Sequence, residues 1–233
     1  MQRIQVGFLI FTFASPLLLW ILSRHLESQR FAPGICWLFA GALVVALAGT
    51  FIIRLRDDGF DFRYTLPMQL CDWALIATVV ALTLRRQMCF ELAYFWGLAG
   101  TVQALITPAV DASTTWHILA FFVVHSVIPA GVLWLMFEYR MRPLRGAWLR
   151  VFLWSEAYLV LALLVDVITG ANYGFLMARP STRSLLDFFS DTHWLYVVEI
   201  NLLGLLLFFV LELPWQFARR RQVKLASSAV SGS

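Results

Sequence analysis

Charge is what this sequence has least of. Only 14% of its 233 residues are Asp, Glu, Lys or Arg, where a soluble domain carries about a quarter. That deficit excludes an ordinary water-soluble protein, and a net charge of +4 carries no nucleic-acid signal. Cysteine is scarce as well: Cys36, Cys71 and Cys89 are too few for a disulfide framework. The four histidines, His25, His117, His125 and His193, include no HxxxH pair. His117 and His125 would stand about 12 Å apart along one helix, too far to chelate together. This argues against a zinc hydrolase, which needs about three converging ligands, and neither a metal nor a cofactor is expected. The first apolar stretch has Arg3 as its single charge and no small-x-small cleavage site after Leu22, so it reads as a retained helix rather than a signal peptide.

What is present is apolar length. Hydrophobic residues make up 61% of the chain, and the mean hydropathy is +0.76. Seven runs approach the roughly 20 residues that a spanning helix needs: 5–23, 34–53, 66–84, 88–108, 116–137, 147–169 and 193–215. The expected fold is therefore all-α, a polytopic membrane bundle of seven transmembrane helices over residues 1–218. A basic tail without regular structure, 219–233, would follow. Twelve basic residues fall on the face that holds the 24–33, 85–87 and 138–150 connectors and the C-terminus. Six (Arg3, Arg54, Arg56, Arg63, Arg179 and Arg183) fall on the other. The excess of positive charge on cytoplasmic loops then places the C-terminus in the cytoplasm and the N-terminus outside. The Arg219–Arg221 cluster suits anionic headgroups.

Inside this apolar frame lies a polar stretch, Leu66-Pro-Met-Gln-Leu-Cys-Asp-Trp73. Proline is tolerated in a first helical turn, so Pro67 is expected to open the third helix, with Cys71 about 7 Å in. In the fourth helix Trp96, Gly100, Gln103 and Thr107 recur on one face. The fifth carries His125 four residues before Pro129, which should bend the helix there; His117 reads as interfacial. Asp166, Glu199 and Asn201 bring further polar groups to the external half. The 170–192 connector reads as a cap that could lower Asn172, Tyr173 and Asp187 onto the bundle. The acids of 54–65 read as a solvated loop.

So many polar groups cannot face lipid, and they should converge on an interior cavity. Cys71 within reach of His125 would form a nucleophile and base, with Gln69, Gln103 or Asn201 stabilising an oxyanion and Asp72 in support. The bland alternatives are a small buried thiol and a histidine bonded between helices. A membrane setting makes an acyl lipid the natural substrate. The competing function is a non-enzymatic binding or transport bundle in which Asp72, Asp166 and Glu199 carry protons or grip a polar ligand. No inverted repeat and no Gly/Pro-broken segment in the last helix support that reading.

Three blocks resemble the bacterial YwaF-like integral membrane proteins: Leu66-Pro-Met-Gln-Leu-Cys-Asp72, Tyr94 through Pro108, and Gly170-Ala-Asn-Tyr-Gly-Phe-Leu through Asp187. The segment Phe121-Phe-Val-Val-His125 joins them. That family is similar to the eukaryotic transmembrane protein 164, regarded as a cysteine-dependent phospholipid acyltransferase, and more distantly to the androgen-induced membrane hydrolases. The resemblance implies a bacterial inner-membrane protein with Cys71 as acyl-accepting nucleophile and His125 as its base. Nothing in the residues separates acyl transfer from hydrolysis, or defines the oligomeric state.

Overall fold

The stretch Thr115–Glu138 is apolar on every side, and a helix of that kind belongs in the middle of a bundle. In the computed structural model it is the central helix, here α5, around which the others gather. The structure describes residues 2–26, 30–110, 114–180, 182 and 184–231, with the side chains of Gln2 and 222–231 left aside. Arg183 and the Lys224 side chain therefore lie outside the described residues. Those residues form seven helices and no strand: α1 (Gln2–Leu26), α2 (Phe31–Asp57), α3 (Leu70–Leu84), α4 (Gln87–Ile106), α5 (Thr115–Glu138), α6 (Ala147–Thr169) and α7 (His193–Ser231). All but the 15-residue α3 are long and apolar enough to cross a membrane. Their outward faces carry Leu, Ile, Val and Phe in quantity. This is a membrane protein.

Close approach to α5 depends on small residues. A Cβ on Gly97 of α4 would come within 2.8 Å of Ile128, so only glycine lets these helices meet. Gly97–Thr101 is a π-turn inside α4, a feature often found beside functional sites. On the far side α1 stacks Phe8 on Phe122, with ring centroids 5.2 Å apart. Its Gln5 amide donates 2.8 Å bonds to the carbonyls of Leu105 and Ile106, two acceptors left open by the end of α4.

Two boundaries differ from the sequence expectation. Helix α3 begins at Leu70, not at Leu66-Pro67. Leu66–Met68 closes instead in a tight turn, the Met68 N–H donating to the Leu66 carbonyl at 2.8 Å. Gln69 is the extended N-cap, and Asp72 reaches back to accept its N–H at 3.0 Å. A carboxylate three residues into a helix caps it better than proline opens it. At the other end α7 continues to Ser231, through most of the stretch expected to be irregular. No Gly or Pro intervenes between Pro214 and Gly232, and Arg219 ties this part of the helix to Glu212 and, at 3.2 Å, to the Pro143 carbonyl. Pro129 interrupts α5 no more than Pro214 does α7.

The end of the bundle away from Gln69 is held by charge. Glu91 is 1% exposed and accepts from the Arg150 guanidinium at 2.7 and 2.9 Å, from the Leu144 N–H at 2.9 Å and from Gln87 at 3.0 Å. This joins α4, the 139–146 connector and α6. Tyr94 extends the network to α7 by donating to the Leu211 carbonyl and accepting from the Trp215 indole, both at 3.0 Å.

Candidate functional site

At the Gln69 end, α2 to α7 enclose a cavity of about 540 Å³, a volume suited to one sizeable ligand. Its wall is mainly apolar and aromatic. The polar exceptions include Arg54, Gln69, Cys71, Asp72, Gln103, His117, His125, Tyr158 and Asn201. Six residues singled out from sequence therefore share one wall: Gln69, Cys71, Asp72, Gln103, His125 and Asn201. The face Trp96, Gly100, Gln103 and Thr107 of α4 lines it too.

Each side chain is held by its local structure. Cys71 is the second residue of α3, partly buried, and so lies in the first turn rather than about 7 Å in. His125 is buried, and its ring lies on Phe121 with centroids 4.1 Å apart. Its Nδ1 sits 2.7 Å from the Phe121 carbonyl. A carbonyl only accepts, so Nδ1 carries the hydrogen, and in the neutral form of the ring the basic lone pair lies on Nε2. The Gln69 Oε1 accepts the Gly174 N–H at 2.9 Å; this orients the amide and leaves its NH2 group without a partner among the described residues. The other two amides are committed, Gln103 donating to Thr107 at 3.1 Å and Asn201 to Glu156 at 3.4 Å. Gln103 and Asn201 each spend one of two N–H donors in this way, whereas the Gln69 NH2 group keeps both.

Four expected site residues stand outside the wall and build the cap instead. Asp166 is 1% exposed and accepts the Tyr173 N–H at 2.8 Å. The buried Tyr173 hydroxyl donates to the Phe62 carbonyl at 2.8 Å and accepts the Leu66 N–H at 3.2 Å. Burial pushes that phenol above its ordinary pKa, which keeps it a donor. Asn172 closes its own turn, accepting from Met177 at 2.9 Å and Ala178 at 3.1 Å. Glu199 accepts the Ser190 N–H at 2.6 Å. Asp187 is exposed and caps its own short turn through Ser184. These groups were expected to converge on the cavity; their hydrogen bonds are spent on the loop backbone, which must be satisfied wherever it is buried. With Asp166 and Glu199 so engaged, the cavity holds one carboxyl of the proposed proton chain, Asp72.

The 172–176 part of the cap is fixed by close packing. Gly174 has φ +64° and stands where a Cβ would lie 2.8 Å from the Tyr158 hydroxyl; that hydroxyl donates to the Met68 carbonyl at 2.9 Å. Phe175 follows at φ +57°, an uncommon conformation for a side-chain-bearing residue. Its carbonyl is held by the Tyr196 hydroxyl at 2.8 Å.

Sequence reasoning missed Arg54 and Tyr158; His117, read as interfacial, stands in the first turn of α5, buried in the cavity wall with Nδ1 2.7 Å from the Thr114 hydroxyl. Helical phase was the available signal for Arg54: α2 runs through Asp57, so Arg54 is its last inward turn. Asp57, which ends α2, and Asp58 are exposed, as expected of solvated acids. Asp61 is paired with Arg63 at 3.0 Å, and the Arg63 N–H and guanidinium hold its carboxyl below the ordinary range. Among the described residues, no three His, Cys, Asp or Glu side chains group as metal ligands would.

The fold and the cavity together define a class: a polytopic membrane protein with an interior, largely apolar site bordered by a thiol and an imidazole. Comparison with known sequences gives the family. The chain belongs to the TMEM164 family, whose sequence profile matches residues 2–211. It is also similar to an uncharacterized protein of Treponema pallidum (strain Nichols), 31% identical over 177 residues, covering 74% of this chain and 68% of that one. No solved structure matches the chain.

Proposed function

We propose that this protein is an intramembrane lipid acyltransferase or lipid esterase in which Cys71 is the nucleophile and His125 its base. One observation carries the reading: Cys71 and His125, whose Nδ1 is engaged by the Phe121 carbonyl, border the same apolar cavity. In this mechanism Nε2 takes the thiol proton and the sulfur attacks the ester carbonyl of an acyl lipid. The tetrahedral oxyanion accepts from the Gln69 NH2 group. The C–O bond then breaks, the departing alkoxide takes the proton back from the imidazolium, and the acyl group remains as a Cys71 thioester. A hydroxyl acceptor or water attacks that thioester, loses its proton to Nε2 and regenerates the thiol.

The reading places the protein in a bacterial inner membrane with its N-terminus outside and C-terminus in the cytoplasm, supported by the distribution of basic residues. The cavity then faces the outer leaflet. Purified protein incubated with acyl-labelled phospholipid should carry label on Cys71 that hydroxylamine releases. Cys71→Ala should abolish labelling, and His125→Ala should slow it by about two orders of magnitude or more. Full turnover in both variants would remove the dyad.

A further inference from the structure

Among the described residues that wall the cavity, Arg54 is the only lysine or arginine. Five other arginines each have a carboxylate within ion-pair distance: Arg56, Arg63, Arg150, Arg179 and Arg219. Arg54 has none among the described residues, although it is half-buried. Asp72 borders the same cavity, but its carboxylate accepts the Gln69 N–H and forms no ion pair with Arg54. One Arg54 nitrogen, Nη1, donates to the Tyr64 carbonyl. This anchors the guanidinium, and Nε and Nη2 have no hydrogen-bond partner among the described residues.

The bland account is a cation favoured by the C-terminal end of α2, tying down the next loop. Arg56 shows what that account predicts: two residues on, its side chain is 85% exposed and lies in solvent. Arg54 instead borders the cavity, and its depth is specific. It stands 23 residues from Phe31, about 35 Å along a helix. The hydrocarbon layer is about 30 Å thick, so Arg54 reaches headgroup level. From there the wall descends along α2 through Thr50 and Leu47 to Ala46, roughly 12 Å deeper. A single unpaired guanidinium above an apolar shaft is complementary to a phosphate attached to an acyl chain.

We infer that Arg54 binds the phosphodiester of a glycerophospholipid whose acyl chain occupies this cavity, and so selects phosphate-bearing lipids over neutral acyl lipids. The inference rests on the reading of the cavity as a lipid site, but not on the chemistry at Cys71. Arg54 is a specificity-determining residue, holding the headgroup at the mouth while the ester region lies lower, toward Cys71 and His125.

The test is lipid binding to the detergent-solubilised full chain, titrated by native mass spectrometry. The probes are dioleoylphosphatidylglycerol, dioleoylglycerol and inorganic phosphate. Arg54→Gln should weaken phosphatidylglycerol binding about tenfold and leave dioleoylglycerol binding unchanged, while Arg54→Lys should fall between Gln and wild type. Equal phosphatidylglycerol affinity in Arg54→Gln and wild type would overturn the inference. So would a parallel loss for both lipids, which would make Arg54 merely structural. Displacement of phosphatidylglycerol by equimolar inorganic phosphate would assign the guanidinium to free phosphate and likewise overturn it. Absence of a Cys71 thioester would leave the binding difference standing, so the two readings fail separately.

Discussion

Replacing Gly174 with alanine tests whether the 170–192 connector is a fixed wall of the cavity. Two costs add at this position. A Cβ in the left-handed region costs about 1 kcal/mol, and here it would also meet the Tyr158 hydroxyl at 2.8 Å. Relieving that overlap means moving either the loop, which strains the Gly174–Gln69 bond at 2.9 Å, or the phenol, which strains its bond to Met68 at 2.9 Å. Each such bond contributes about 1 kcal/mol net, so the total is about 2 to 3 kcal/mol. For a chain of this length that is a fall in Tm of roughly 4–12 °C, measurable by scanning fluorimetry in detergent. Gly170→Ala is the control: its φ is +71°, but a Cβ there meets nothing within 4 Å, so only the backbone cost of about 1 kcal/mol applies. In a Tyr158→Phe background the hydroxyl is gone and the next ring atom stands at 3.7 Å. Gly174→Ala should then cost no more than Gly170→Ala. Equal Tm shifts for the two glycine variants in the wild-type background, unchanged by Tyr158→Phe, would refute the packing of this loop on Tyr158.

Other perturbations address other parts of the structure. Glu91→Gln leaves the Arg150 guanidinium without its carboxylate; because the Arg150 side chain is 42% exposed and water can solvate it, the cost should be about 1 to 2 kcal/mol, seen as a lower Tm with the lipid-binding site intact. Tyr173→Phe removes the donor to Phe62 and should cost about 1 kcal/mol at neutral pH. Because burial raises the folded-state pKa of Tyr173, its stabilisation is fully present below about pH 10 and is lost as pH rises through the folded value. The variant should therefore lose less stability than wild type when an alkaline titration passes pH 10. Gln69→Glu, which replaces the uncommitted NH2 donors with a carboxylate, should slow Cys71 acylation by about 100-fold or more; acylation at the wild-type rate would exclude Gln69 as the oxyanion donor.

Composition and apolar run length were enough to determine that this is a seven-helix membrane bundle, because water exclusion forces long apolar segments into helices whatever their neighbours. The polar residues of Leu66–Trp73, helix four and His125 were legible as a buried cluster for the same reason: hydrocarbon does not tolerate them elsewhere. Local competition was less legible. Asp72 outbids Pro67 for the start of α3, which moves Cys71 into the first turn and gives the carboxylate a structural task. Only the tertiary structure decided which polar groups share the cavity. Gln69, Cys71, Asp72, Gln103, His125 and Asn201 line it, while Asp166, Asn172, Tyr173 and Glu199 satisfy the backbone of the cap. Residue type cannot distinguish those roles, since the same oxygen can face a ligand or an N–H from a loop more than a hundred positions away, as Gln69 and Gly174 do. Arg54 was hidden for a related reason. Its charge placed it in a loop, whereas α2 continues through Asp57 and carries that charge into the cavity wall.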